Sequence, residues 1–232
     1  AMVSGLMPVV GVPLPLVSNP YTYYPCLVRS RLGKPTRDLR HSLTQLMILY
    51  EPEGRPGQAS VAQVYSYRSL LTFKLVKESP LAFPESVRFM RLLQPYFIIV
   101  GIHHEDLPGE GKRLTLHADG RSRIVYKRTK EEEQWRLRRE KALMRHFGKL
   151  GCTVLKRIDP GHGSSIHYAG CLPMTEEDRP LTTRPDGRLR GAESVAIVDG
   201  AALPHLPAKG LTYTLMANAD RVGVGLVKEM KG

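Results

Sequence analysis

Cysteine is scarce. Cys26, Cys152 and Cys171 are the only three in 232 residues, too few and too scattered for a disulfide framework, which points to a reduced, cytoplasmic setting. No run of about eighteen uncharged apolar residues occurs, so no membrane span is expected. The apolar opening from Met2 to Val17 is interrupted by Pro8, Pro13 and Pro15 and lacks a basic leader, so it does not read as a signal peptide. His162, His167 and Cys171 lie close together, but no second ligand pair follows at zinc spacing, and no metal is expected. Nor is there a Gly-x-Gly-x-x-Gly run. Gly161-His-Gly163 and Gly223-Val-Gly225 both lack the third glycine and the unit that should precede it. These residues therefore do not include a dinucleotide-binding turn of the usual kind.

Acidic residues are also short, 22 against 34 basic ones, giving a net charge of +12. Such an excess raises the question of nucleic acid, yet no recognisable reading motif is present. The densest basic cluster, Arg121 to Arg145, is interleaved with Glu131, Glu132, Glu133 and Glu140, the pattern of a solvated helix face. No nucleic-acid partner is expected; an acidic partner chain is a better use of the charge, since it steers association. Hydrophobic content of 42% and charged content of 24% are those of a globular protein able to bury a core.

The first thirty-odd residues are rich in proline and tyrosine, with Pro13-Leu-Pro15 and Asn19-Pro-Tyr-Thr-Tyr-Tyr-Pro25. Proline removes a donor and constrains its predecessor, so this part predicts an extended wall. Leu43 to Glu51 and Ser60 to Tyr67 read as strands joined by a turn-rich loop from Pro52 to Gly57, and Leu70 to Lys77 is ambiguous. Pro84 followed by Glu85 opens a helix to Leu93. Tyr96 to His103 is a continuous apolar strand, whose terminal His103 and His104 read as structural because no constellation surrounds them. Asp119-Gly120 between two alternating segments, Arg113 to Ala118 and Arg123 to Lys127, predicts a hairpin. Thr129 with Glu132 forms a capping box for a helix that Gly151 ends. A strand from Val154 to Ile158 completes an α+β layout, an antiparallel sheet covered by helices on one face.

Beyond residue 160 the pattern changes. Gly161, Gly163 and Gly170 flank His167 and remove side chains around it, so backbone there can approach a flat ligand and take positive φ. Val195-Ala196-Ile197-Val198 reads as a short buried strand ending in Asp199-Gly200, where open sheets place ligands. A helix begins near Leu211.

Four pieces in this order carry a resemblance: His167-Tyr-Ala-Gly-Cys-Leu-Pro-Met174, Asp186-Gly-Arg-Leu-Arg-Gly191, Val195 through Pro204, and Leu206 through Arg221. Together they resemble the C-terminal signature of the glucose-methanol-choline (GMC) family of flavin oxidoreductases. The resemblance implies FAD as cofactor, with His167 as the base for oxidation of a substrate hydroxyl, an alcohol or a sugar. It also implies cofactor contacts at Gly170, Cys171, Asp199, Gly200, Ala201, Leu211 and Thr212. The family's second histidine or asparagine falls at Gly210, which offers no side chain. Residues 1–158 then correspond to a substrate-binding domain and 159–232 to the C-terminal segment of a flavin-binding domain. Tyr21, Tyr23 and Tyr24 have two readings: a substrate-side lining, or packing residues with satisfied hydroxyls.

A consequence for packing follows. In the resembling family the strand at 195–199 and the last helix complete a parallel sheet, and that sheet is not in these residues. A lone apolar strand invites pairing with another chain. The expected partner is a separate chain supplying the N-terminal FAD-binding half, or a second copy. The alternative is a degenerate, flavin-free relative serving as a binding or scaffold subunit, or a non-redox enzyme using His167 for proton transfer.

Overall fold

The computed structural model describes residues 9–34, 44–51, 59–66, 76–161, 163–165 and 167–231. The predicted loop from Pro52 to Gly57, most of the ambiguous 70–77 stretch, and His162 lie outside them. The strands are β1 (Pro13–Pro15), β2 (Val17–Ser18), β3 (Tyr21–Val28), β4 (Thr44–Tyr50), β5 (Ser60–Ser66) and β6 (Phe97–His104), with α1 (Phe83–Leu93) between the last two. There follow β7 (Lys112–Leu116), β8 (Ser122–Tyr126), α2 (Lys130–Lys149), β9 (Cys152–Val154), β10 (Tyr168–Ala169), β11 (Arg188–Leu189), β12 (Ala192–Ala196) and α3 (Thr212–Lys231). All strand pairings between these elements are antiparallel, so the protein is α+β.

Two compact units form, and each is discontinuous in sequence. One comprises residues 1–20, 105–132 and 162–232, the other 21–104 and 133–161. This is a division by compactness; the expected boundary after residue 158 is a division by role.

In the second unit the sheet order is β4-β5-β6-β3-β9. Strand alternation sends Tyr24, Cys26, Val100 and Ile102 to one face, where Leu143 and Phe147 of α2 complete a core. Tyr23, Phe97 and Ile99 go to the other face, with Tyr65, Ile158 and Met90 of α1. The expectation of helices on a single face is thus corrected. The eight-residue apolar strand β6 is buried on both faces and requires cover on each. The last predicted strand is corrected as well: pairing with β3 ends at Val154, and Ile158 retains only an isolated bridge to Tyr23.

The core face carries a polar cluster on one carboxylate. Thr22 donates to Glu140 Oε1 at 2.9 Å and Tyr24 to Oε2 at 2.6 Å. Arg157 Nε donates to Oε2 at 2.6 Å. His104 Nε2 lies 3.1 Å from Oε1, and His104 Nδ1 lies 3.0 Å from Ser60 Oγ. A carboxylate only accepts, so Nε2 carries the imidazole proton and the Ser60 hydroxyl donates to Nδ1. His104 is 0% exposed and Glu140 1%.

Burial pushes the His104 imidazole down to about 4, with Arg136 and Arg139 adding to the effect and Glu140 opposing it. Burial alone raises Glu140, but hydrogen bonds from His104, Arg157 and Tyr24 outweigh it and hold the carboxyl well below its usual range. Unfolded, this histidine takes a proton near its ordinary value of 6.5, and folded only near 4. The unfolded state binds the extra proton between those limits, so stability falls as pH drops from 6.5 towards 4. The expected loss over that window is on the order of 3 kcal/mol. Urea unfolding at pH 7 and at about pH 4.5 measures it; equal free energies at both would rule out this assignment of charge.

The first unit holds a three-stranded sheet, order β1-β7-β8, and two small ribbons, β10-β2 and β11-β12. The Asp119-Gly120 hairpin forms as predicted, with Gly120 at φ +80°. The capping box forms too: Thr129 Oγ1 accepts from the Glu132 amide at 3.1 Å, and Glu132 returns the bond to the Thr129 amide at 2.7 Å. Asp106 is buried and accepts from Lys112 Nζ at 2.6 Å, the Ser18 amide at 2.8 Å and Tyr126 at 2.9 Å. That cluster ties β2 to β7 and β8.

Helix α3 buries Leu211 at its start and Val222 midway. Val222 packs against Gly187, where a Cβ would lie 2.6 Å from its methyls. Only a glycine fits that contact. The opposite side of the helix is open, with Tyr213, Met216, Val224 and Val227 exposed at helical spacing around Asp220. No helix of the described residues is long and apolar enough to cross a membrane.

Candidate functional site

The segment around His167 is fixed through its backbone. The His167 amide donates to Ser165 Oγ at 3.2 Å, and its carbonyl accepts from the Ser165 hydroxyl at 2.9 Å and the Asn19 amide at 3.2 Å. Asn19 also donates its side-chain amide to the Pro207 carbonyl at 3.1 Å, so one residue clips the histidine loop to the proline-rich bend. Strand β10 then pairs with β2, Tyr168 opposite Ser18 and Ala169 opposite Val17.

Next to this segment runs the Asp-Gly turn. Gly170 donates to the Gly200 carbonyl at 3.1 Å, Leu172 to Ala201 at 2.9 Å and Met174 to Ala202 at 2.7 Å. The histidine stretch and the Asp199 stretch, thirty residues apart in sequence, are therefore hydrogen-bonded neighbours. Two glycines make this approach possible. Gly170 sits at φ +85° with Val17 Cγ2 3.2 Å from where a Cβ would be, and a Cβ on Gly200 would come within 3.1 Å of the Tyr168 carbonyl.

Asp199 caps a short 3-10 turn, Gly200–Ala202, accepting from the Ala201 amide at 2.9 Å through Oδ1. The carboxylate is otherwise exposed and can accept a ligand hydroxyl. The Cys171 thiol is pushed up by burial and by the nearby Asp199 charge, so it stays neutral. The predicted buried strand at 195–198 is corrected: β12 is Ala192–Ala196, half exposed, and pairs with β11 across a turn at Gly191. Its register shifts between Arg188 and Leu189, and Val198 is 37% exposed. The strand pairs only with β11 among the described residues and joins no larger sheet, so it stays half exposed.

His167 is half-buried, and its Nδ1 is enclosed without a hydrogen-bond partner among the described residues. Burial lowers its pKa from the ordinary 6.5, so the imidazole is neutral at neutral pH and able to accept a proton. Gly210 is exposed with nothing within 4 Å of a built Cβ, so the missing second side chain is not imposed by crowding. Leu211 packs in the core with Val17, Ala169 and Leu206, which leaves only its backbone for a cofactor. Thr212 is exposed at the start of α3. Beside Gly170 opens a cleft of about 280 Å³ lined by Pro15, Val17, Pro173, Met174, Pro204 and Arg179.

The three tyrosines belong to the other unit. Tyr23 donates its hydroxyl to Glu78 at 2.7 Å and Tyr24 to Glu140, and both rings are buried. Burial and those carboxylates hold both phenols well above their ordinary value. Tyr21 stacks on His103 with ring centroids 5.5 Å apart. These are packing positions, and no sequence signal distinguished the Tyr24 hydroxyl as a partner of Glu140. The clip formed by Asn19 was equally hidden, because an Asn-Pro pair predicts a turn and carries no information about residues near 167 and 207.

In this α+β protein the segment after His167 is thus hydrogen-bonded to the acid-capped turn after Asp199. Residues 115–219 match the family model described as GMC oxidoreductase, which supports reading this stretch as a GMC oxidoreductase C-terminal portion. The family is one of oxidoreductases that generally depend on FAD. No curated protein matches the chain.

Proposed function

We propose that this chain is the substrate-side and catalytic part of an FAD-dependent oxidoreductase that oxidises an alcohol or sugar hydroxyl. The observation that supports the reading is the run of backbone hydrogen bonds joining 170–174 to 200–202, the segments that directly follow His167 and Asp199. The residues that support a flavin's ring side are an acid with an open oxygen and an imidazole whose Nδ1 has no partner among the described residues, while Gly170 and Gly200 let the chain's own segments close around them. Gly170, Cys171, Asp199, Gly200, Ala201 and the backbone of 211–212 would hold the flavin. When bound, the flavin supplies the hydride acceptor, chemistry that belongs to the cofactor.

The chain's own part is proton management. Neutral His167 takes the hydroxyl proton of the substrate, and its lowered pKa keeps it unprotonated at neutral pH. Activity should therefore decline as pH falls through that lowered pKa. Gly210 contributes no second hydrogen-bonding side chain, so His167 carries the proton alone.

The adenine end of FAD requires a dinucleotide-binding half that these residues do not contain. The exposed side of α3, with Tyr213 at 86% and Met216 at 61%, suits burial under such a half. Mixing the purified chain with FAD and a GMC dinucleotide-binding half should produce a protein-bound flavin band near ~450 nm, flavin chemistry being the cofactor's own. A folded complex that stays colourless under saturating FAD would overturn the reading and favour the flavin-free alternative.

A further inference from the structure

The three-stranded sheet of the first unit has a face that the proposed redox chemistry does not use. In the β7-β8 register Arg113 stands opposite Val125 and Thr115 opposite Arg123, which puts all four side chains on one side. With Gly11, Pro13 and His117 they line a cleft of about 260 Å³. Two guanidinium-bearing positions thus sit diagonally on adjacent strands, roughly 7–8 Å apart at the backbone, where like charges repel unless an anion lies between them.

Most other arginines of this unit are matched, Arg221 bonding instead to Asn218. Arg121 pairs with Asp119, Arg184 with Asp186 and Glu193, Arg188 with Glu229, and Arg190 with Asp178. Arg113 and Arg123 pair with no carboxylate among the described residues, and no acid lines the cleft. A guanidinium offers a planar fork of donors that fits an oxyanion in two-point fashion. The Thr115 hydroxyl and the His117 imidazole bring further polar groups, while Pro13 and Val125 give an apolar wall for an organic substituent.

We infer that this cleft binds the dianion of a small phosphate monoester. Two fixed positive charges match two negative ones, and the volume suits a phosphate with a few carbons. A long polyanion would need a basic track extending past the cleft, whereas the neighbouring Arg121 is already neutralised by Asp119.

The test is calorimetric titration of the full chain at low salt with phenyl phosphate and with inorganic phosphate, independent of any flavin. Phenyl phosphate should bind saturably, and an Arg113→Ala/Arg123→Ala double variant should weaken it at least about tenfold, the loss of roughly 1.4 kcal/mol. Arg121→Ala removes one charge from the same hairpin but not from the cleft, and should bind as the unmodified protein does. Both variants change exposed side chains, and circular dichroism checks that they fold. No saturable binding below about 10 mM, an affinity too weak to be a site, would overturn the inference. So would equal weakening by Arg121→Ala, which would mean diffuse charge, or binding of duplex DNA without binding of phenyl phosphate. Binding of inorganic phosphate as tightly as phenyl phosphate would overturn the monoester assignment.

Discussion

Replacing His167 by alanine is expected to lower kcat of the flavin-loaded protein by about 100- to 10,000-fold, the range for removing a general base. The fold should survive, because among the described residues the hydrogen bonds that fix this residue go through its backbone to Ser165 and Asn19. The buried Nδ1 makes none among the described residues. Loss of the ring therefore strands no partner, and urea midpoints of variant and parent should agree within experimental error. The pH profile separates a proton acceptor from a packing residue. The parent should lose kcat as pH falls through a value below 6.5, since burial lowers the imidazole's pKa. The variant should lose that limb. A variant that turned over at the parental rate would remove His167 from the chemistry, whatever the flavin does.

Truncating Glu140 is the converse experiment, with a large effect on stability and none on chemistry that can be attributed directly to the residue. Glu140 accepts from Thr22, Tyr24, His104 and Arg157 in the core of the second unit. An alanine there removes the acceptor shared by the Arg157 guanidinium, the His104 imidazole and two buried hydroxyls, although Arg157 keeps Asp159 at 3.4 Å. Breaking a buried ionic cluster by removing one partner costs about 3–5 kcal/mol. Arg157 is 32% exposed and can regain some water, so the lower part of that range is expected. For a unit whose whole stability is on the order of 5–15 kcal/mol this is a large fraction. Urea unfolding of Glu140→Ala measures it, with Glu140→Gln, which keeps one carbonyl acceptor, falling between. A cost under about 1 kcal/mol would show that the cluster is hydrated in solution.

The Ser60-His104-Glu140 order looks like a nucleophile, base and orienting acid. Its burial argues against that use: the imidazole and carboxylate are closed to solvent, and burial pushes the imidazole down to about 4. The same three residue types in a cleft would be a hydrolase site; under helix α2 they are a structural clamp.

Much of the local structure was legible because its causes are local. The Asp119-Gly120 turn, the Thr129-Glu132 capping box and the extended tyrosine segment depend on residues within a few positions of one another. His167 and Asp199 could each be picked out from flanking glycines and from the order of neighbouring motifs. The strand at 195–198 misled because apolar β-branched residues announce a buried strand only when a sheet is present to pair with.

Alone, then, the chain of residue types determined the α+β class, the main helices and hairpins, and the likeness of its C-terminal part to GMC oxidoreductases. Tertiary structure alone decided which distant groups share an environment. Glu140 meets Thr22 and Tyr24 from 118 and 116 positions away, and Asn19 meets Pro207 from 188. Hydrogen bonding to Gly200 brings Gly170 and the histidine segment against the Asp199 turn. Side-chain period and turn chemistry act over a few residues, whereas burial and charge pairing are fixed by what the folded backbone carries across the core.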